Sequence, residues 1–510
     1  MNTKFIIIVL ILMTIVSKIL GLSRDIFLSH YYGATNISDV FFISLAIPTV
    51  LMGFISNGIS TGYIPVYREV ETNLGKKKAN LFTGNIVNIT LLLSTVVFLI
   101  VQLFTPQIVK MFAFGFEGDT LQKAITFTRL SVCGIFFIGV SSVFQRFLQV
   151  NDQFTIPGMI GIPYNLILIT FIILSYTYNT YLLAVGSVFA LASQVALMAY
   201  YSLRLQYDFT FSFTFRDEYV KKMLLLVSPL IVVSSFNQIN QLIDRSIAST
   251  IIEGGISALS YASRINTLVQ SLFVTTIAAV VYPRISKYAA EGDFANVKKT
   301  MVKSILAISI FTIPAMLGIM VFAVPIVSLI FGHGAFSDEA LSMTGSALFY
   351  YSIGLYAISV RIMLAKVFYS LQNSRTPVII TSIALVINIG LNFILSRFMG
   401  INGLALATAI SGIICMLLMV IYIRKGIGFI DIREFTISLV KVILSSVMMI
   451  LIVYGIFNSI SNHLSATVSI ILTVGIGLLL YPLLLLIFRV EDIFTLYVGF
   501  KGKIKDSLQK

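Results

Sequence analysis

About fourteen apolar stretches, each of roughly 20 residues or more, fill this 510-residue chain from end to end. Inside a bilayer no water completes a backbone hydrogen bond, so such stretches must become helices or a closed barrel, and runs of this length and apolarity are helices. The composition agrees: 58% of residues are hydrophobic and 11% charged, with a mean hydropathy of +0.97. No soluble fold of this size carries that balance. The spans are expected near 4–30, 39–64, 79–107, 122–147, 158–177, 181–203, 222–250, 256–281, 302–330, 341–369, 377–398, 402–423, 436–457 and 466–488. The first run has no small-x-small cleavage site and carries charges inside it, so it is read as a retained helix rather than a leader.

The net charge of +14 sits in short loops. Arg68, Lys76, Lys77 and Lys78, then Arg204, Arg216, Lys221 and Lys222, then Arg284, Lys287, Lys298 and Lys299, then Arg375, Arg424 and Lys425 fall on one side with the basic tail. Such a bias places both termini in the cytoplasm of a multi-pass bacterial cell-membrane protein. It marks topology and headgroup contact, not nucleic-acid binding. No loop is long enough for a catalytic domain and no GxxxxGK[ST] occurs, so the chain is not expected to be an enzyme. Cys133 and Cys415 lie in apolar runs without metal spacing and read as small buried hydrophobes; His30, His333 and His463 fall in loops away from any nucleophile.

An internal repeat recurs at an offset of about 220 residues. NISDVFFIS at 36 matches GISALSYAS at 255, YIPVYREVE at 63 matches VYPRISKYA at 281, and FLQVNDQFTIPGM at 147 matches FYSLQNSRTPVII at 368. An even number of spans separates the copies, so both have one orientation and form a parallel pseudo-two-fold repeat. The expected fold is therefore all-α: an N-lobe over 1–210, a C-lobe over 211–430, two additional helices over 431–490 and a basic cytoplasmic tail over 491–510.

Charges at membrane depth cost at least ~2.5–3.5 kcal/mol and face a protein interior or a watery cavity. Lys18, Arg24 and Asp25 stand inside the first span, and Arg264 is the only charge on a polar stripe of Ser257, Ser260, Thr267 and Ser271. An interior guanidinium, with its planar fork of donors, suits phosphate. Arg24 could instead pair with Asp25 or Asp39; unpaired cations in both lobes are the reading preferred here. The seventh span aligns Asn237, Asn240, Gln241 and Asp244 on one face, the eleventh offers Asn388 and Asn392, and the twelfth Thr408. Hard oxygen donors with one carboxylate suit Na⁺, while interhelical hydrogen bonding would use the same residues. A cationic cavity argues against an antiporter for cationic drugs.

The segments SKILGLSRDIFLSHYYG, SDVFFISLAIP, DRSIAS, YASRI, VVYPRISK and FYSLQNSRTPV resemble the MurJ (MviN) family of the multidrug/oligosaccharidyl-lipid/polysaccharide exporter superfamily, over essentially the whole chain. The resemblance implies a lipid II flippase that carries an undecaprenyl-pyrophosphate-linked headgroup from the inner to the outer leaflet by alternating access. It implies Lys18, Arg24, Asp25, Asp39 and Arg264 as substrate-binding residues, a Na⁺ site from Asp244, Asn388, Asn392, the Leu404 carbonyl and Thr408, and a lipid-tail groove on the last two spans. Its implied partners are the glycolipid, membrane lipids and the cell-wall synthesis machinery. The chain departs from the family at Met52, where a cavity Arg is usual, at Asn57 in place of an acid, and at Asn392, which can be Asp. A flippase for another undecaprenyl-linked glycan, such as an O-antigen or capsule unit, is the alternative.

Overall fold

The computed structural model describes residues 3–205, 207, 214, 217–428 and 433–490, without the side chains of 3–8, 10–11 and 226–237. The basic tail and the side chain of Asn237 thus lie outside the described residues. Every regular element among the described residues is helical. The chain divides into two compact units, Met1–Ala258 with His333–Ala340, and Leu259–Gly332 with Leu341–Lys510.

The first unit contains α1 (Thr3–Tyr32), α2 (Asn36–Leu74), α3 (Lys76–Leu103), α4 (Thr105–Phe112), α5 (Gly118–Ser131), α6 (Gly134–Val150), α7 (Thr155–Met159), α8 (Gly161–Thr177), α9 (Leu182–Arg204) and α10 (Glu218–Ile251). The remaining helices are α11 (Gly255–Val269), which begins at the end of the first unit, α12 (Thr275–Ala290), α13 (Phe294–Val321), α14 (Ala323–Phe331), α15 (Asp338–Ile353), α16 (Leu355–Ser370), α17 (Arg375–Met399), α18 (Ile401–Ile427), α19 (Arg433–Ser461) and α20 (Ala466–Ile487). Ten helices among the described residues are long and apolar enough to cross a membrane, or twelve if each bent pair is one span. The expected spans near 4–30 and 222–250, which carry internal charges, correspond to α1 and α10, of 30 and 34 residues. They lie outside that count.

Many hydroxyls within the helices are satisfied locally. Ser309 donates to Ile305 O at 2.8 Å, Thr312 to Ile308 O at 2.8 Å and Ser446 to Val442 O at 2.7 Å, the back-bond that lets a hydroxyl sit in an apolar layer. At the polar ends carboxylates cap: Asp217 accepts from Tyr219 N at 2.8 Å, and Asp293 from Asn296 N at 3.0 Å, which holds the Asp293 carboxyl below the usual range. In the first unit an aromatic core of Tyr63, Tyr67, Phe147 and Tyr207 binds α2 to α6. In the second, Ala278, Ile308, Val367 and Met419 join α12, α13, α16 and α18.

The repeat is visible in backbone detail. The α3–α4 break at Phe104 (φ −108°, ψ 25°) recurs between α13 and α14 at Phe322 (φ −108°, ψ 26°). The bend of 42° between α5 and α6 recurs as 46° between α15 and α16. Left-handed Asp152 (φ 62°) has its counterpart in Gln372 (φ 59°). The turn bond from Gln153 N to Leu148 O (2.9 Å) likewise recurs from Asn373 N to Phe368 O (3.0 Å). FAFGFEGD at 112 further matches FGHGAFSD at 331. Within the first unit these two loops make matching close approaches. Gly115 N donates to Ser249 Oγ at 3.0 Å, and Ala335 N to His30 O at 2.8 Å. A β-carbon on Gly115 would meet Ser249 O at 2.1 Å, and one on Gly334 (φ +70°) would meet His30 O at 2.3 Å.

Backbone cannot yield as a side-chain tip can. Gly115→Ala and Gly334→Ala should each lower the thermal unfolding midpoint of the purified protein by several degrees, as expected for roughly 1–3 kcal/mol of overpacking. Gly455→Ala, where no atom lies within 4 Å, should hold or raise it through better helix propensity. Equal midpoints for all three variants would refute the close-approach reading.

Candidate functional site

The buried polar centre of the first unit forms where α2 begins. Asp39, in the first turn of α2 and 1% exposed, accepts from Gly254 N (2.9 Å), Ser257 N (2.7 Å) and Ser257 Oγ (2.5 Å). In return Glu253 Oε1 accepts from Asn36 N at 3.2 Å, and Ser38 Oγ lies 2.9 Å from Ser257 Oγ. The starts of α2 and α11, which are repeat-equivalent, thus cap each other's unpaired amides. Asp39, a predicted substrate residue, is here occupied by protein donors.

Arg24 and Asp25 on α1 form a buried ion pair, Nε and Nη2 to Oδ1 at 3.0 and 2.5 Å, with the residues 7% and 1% exposed. The expectation of an unpaired Arg24 is corrected: the neighbouring carboxylate neutralises it, because two adjacent ions in an apolar layer cost least when they bond each other. Lys18 is exposed on the same helix, about 9 Å from Arg24 by helical rise. Arg264 on α11 is half-buried and belongs to the second unit. A π-helical turn, Gln270–Val274, follows it and separates α11 from α12. Nothing in the sequence reading anticipated this turn, a feature frequent at functional sites.

Of the residues assigned to Na⁺, the structure brings together those on α17 and α18. Asn392 Nδ2 donates to Asn388 Oδ1 (3.1 Å), Asn388 Nδ2 to Ser411 Oγ (3.3 Å), and Thr408 Oγ1 to Leu404 O (3.1 Å). Ser411, not anticipated, completes this knot by donating to Thr408 O at 3.0 Å. Asp244 lies in the first unit, where Asn240 Nδ2 donates to its Oδ2 at 3.3 Å and Arg245 donates to Phe42 O at 3.2 Å. No group of three or more His, Cys, Asp and Glu side chains that could hold a metal occurs among the described residues. The donors on α17 and α18 are neutral hard oxygens, which fit an alkali cation better than a transition metal.

Met52 is fully buried, with Sδ 3.9 Å from Ser94 Oγ and Cε 3.0 Å from where a β-carbon of Gly139 would sit. It points into the α2, α3 and α6 packing, so this position offers no ready room for an added cation. Cations not singled out from the sequence also stand inside predicted spans, among them Arg146 on α6 and Arg361 and Lys366 on α16. Arg146 and Lys366 lie within a turn of a span end, where charges pass for loop residues. The second unit also holds an apolar groove of about 520 Å³ between α13, α19 and α20 and the π-turn, lined by Phe273, Phe311, Pro314, Met449, Gly477 and Tyr481.

Comparison with known proteins bears on these features. The profile of the family described as Lipid II flippase MurJ matches residues 28–475. A probable lipid II flippase MurJ of Rickettsia prowazekii is 27% identical over 409 residues, 79% of this chain and 80% of that protein. One of Thermotoga maritima is 26% identical over 483 residues, 94% of this chain and 95% of its own. Among solved structures, a lipid II flippase MurJ in an inward closed conformation superposes with a TM-score of 0.83 at 24% identity, covering 95% of this chain and all of that one. An inward-facing multidrug resistance MATE transporter of the MOP superfamily superposes at 0.67 and 18% identity, covering 81% and 94%. At these identities the superpositions speak for the fold alone.

The ion pair and the buried methionine each carry a test. Arg24→Ala strands the buried Asp25 carboxylate and should reduce membrane abundance, by the ~3–5 kcal/mol typical of a broken buried pair. Arg24→Ala with Asp25→Ala should restore abundance. Met52→Arg should also lower abundance, while Met52→Leu should not. Normal abundance of Arg24→Ala alone would show the pair to be structurally dispensable.

Proposed function

The chain belongs to the lipid II flippase MurJ family, and we propose that it moves undecaprenyl-pyrophosphate-linked disaccharide-pentapeptide from the inner to the outer leaflet of the bacterial cell membrane. The observation that carries this reading is the match of the family profile along 28–475 of a multi-pass helical chain that holds cations at membrane depth. Both termini face the cytoplasm, as the distribution of loop lysines and arginines implies.

In this reading the pyrophosphate competes with Asp25 for Arg24. Asp25 satisfies the guanidinium between cycles, and a doubly charged ligand with more acceptor oxygens displaces it. Arg264 and Lys18 add positive charge, and the two lobes of the repeat alternate their access while the polyprenyl tail stays in the apolar groove on α13, α19 and α20. Inside-negative potential favours outward movement of the anionic headgroup, by ~2.3 kcal/mol per charge per 100 mV. Na⁺ held by Asn388, Asn392, the Leu404 carbonyl and Thr408 biases one orientation. Cell-wall synthesis enzymes are the partners this activity calls for.

Expression in a strain depleted of its lipid II flippase should restore growth. In that background Arg264→Ala should abolish rescue at normal abundance, with Arg264→Lys partial, because an ammonium lacks the guanidinium fork. Failure of the unmodified chain to rescue, with rescue of an O-antigen or capsule flippase mutant instead, would reassign the glycan.

For Na⁺, the expected result is an upward shift of the thermal midpoint with added NaCl, at constant ionic strength against KCl, that Asn392→Leu removes. No Na⁺-specific shift up to a few hundred millimolar would remove the ion from the scheme.

A further inference from the structure

We propose that Arg146 is a headgroup-binding cation of this transporter, taking an anionic oxygen of the pyrophosphate one turn from the end of α6. The proposal deepens the reading above and rests on it. Arg146 is half-buried in the first unit. Among the described residues its hydrogen bonds go to neutral oxygens: Nη1 donates to Gln149 Oε1 at 2.6 Å and Nη2 to Ser60 Oγ at 2.9 Å, while the buried Nε has no partner. Several other cations of this unit are instead compensated by an acid. Arg24 bonds Asp25, Arg68 bonds Glu71 at 2.7 Å, Lys222 bonds Glu69 at 2.6 Å and Lys123 bonds Asp119 at 2.6 Å. Among the described residues no acid pairs with Arg146. Neutral acceptors orient the guanidinium yet leave its full charge and part of its five donors for an anion.

The repeat supplies an independent observation. About 220 residues on, in the register set by the two left-handed turns, the position equivalent to Arg146 is Lys366. In its own unit Lys366 is also half-buried, and its ammonium lies over the Tyr282 ring at 5.5 Å, again a neutral partner. Neighbouring positions have changed character between the copies, Gln145 to Ala365 and Gln149 to Tyr369. The positive charge has persisted here. It also accounts for the missing cation on α2: position 52 is a packed methionine, and a guanidinium instead reaches α2 at Ser60, about 12 Å along the helix.

The test uses the full-length protein purified in detergent, with inorganic pyrophosphate as the probe and calorimetric titration at two ionic strengths. Arg146→Gln, which is shorter and keeps N–H donors but no charge, should weaken binding about tenfold and flatten its salt dependence, with the thermal midpoint unchanged or higher. Ser60→Ala, which removes the tether and keeps the cation, should stay within about threefold. Unchanged binding in Arg146→Gln, or no pyrophosphate binding by the unmodified protein, overturns the proposal. If Arg146→Gln does not accumulate, Arg146→Lys decides: several-fold weaker binding supports the guanidinium contact and equal affinity overturns it. Failure of the unmodified chain to rescue a flippase-depleted strain, beside Arg146-dependent binding, would fault the lipid II reading and leave this one standing.

Discussion

Every polar group that enters the bilayer must find its partner within the protein, and the architecture follows from that one constraint. Helices satisfy their own backbones except at their ends, where the first amides remain unpaired. Hydroxyls fold back on the preceding turn. The exposed amides of α2 and α11 are met by Glu253 and Asp39, each carboxylate serving the other helix. That reciprocal capping joins the starts of two repeat-equivalent helices in one buried connection, held by close backbone approach and by the Ser38–Ser257 contact.

The same constraint sorts the charges. Cations that need only to be tolerated are neutralised beside an acid, as Arg24 is by Asp25. Others stand against neutral oxygens or an aromatic face, as Arg146 and Lys366 do. On the proposed function, this difference separates charge held in reserve, at Arg24, from charge open to an anionic ligand, at Arg146. A pair such as Arg24–Asp25 can yield its guanidinium only by exchanging one anion for another.

Repetition gave the molecule two copies of one scaffold, and the copies then diverged. Breaks, bends and left-handed turns are retained at matching positions, because they shape the helices. Side chains between them have changed. Arg68, which in the first unit donates to Val150 O, has the counterpart Ser286, whose hydroxyl meets Ser370. Geometry is conserved within the chain more strictly than chemistry, since a helix break tolerates no substitute and a rim contact tolerates many.

The class of fold was legible without coordinates, because apolar length and loop charge are one-dimensional properties. The repeat was also legible, through Pro65 and Pro283 and the paired turns near 152 and 372. The polar residues Asn388, Asn392 and Thr408 could be recognised as one cluster from helical spacing and family likeness. What each ion touches could not. Whether Arg24 points to a ligand or to its neighbour, whether Asp39 is offered or already occupied as a cap, and whether Met52 faces an opening or the packing of α3 and α6 depend on rotamer and helix rotation. Those are set by contacts between residues far apart in the chain, which sequence spacing does not encode. Sequence by itself determined that the chain spans a membrane and keeps charge inside it; tertiary packing decided which charges are already neutralised, because pairing requires proximity in three dimensions.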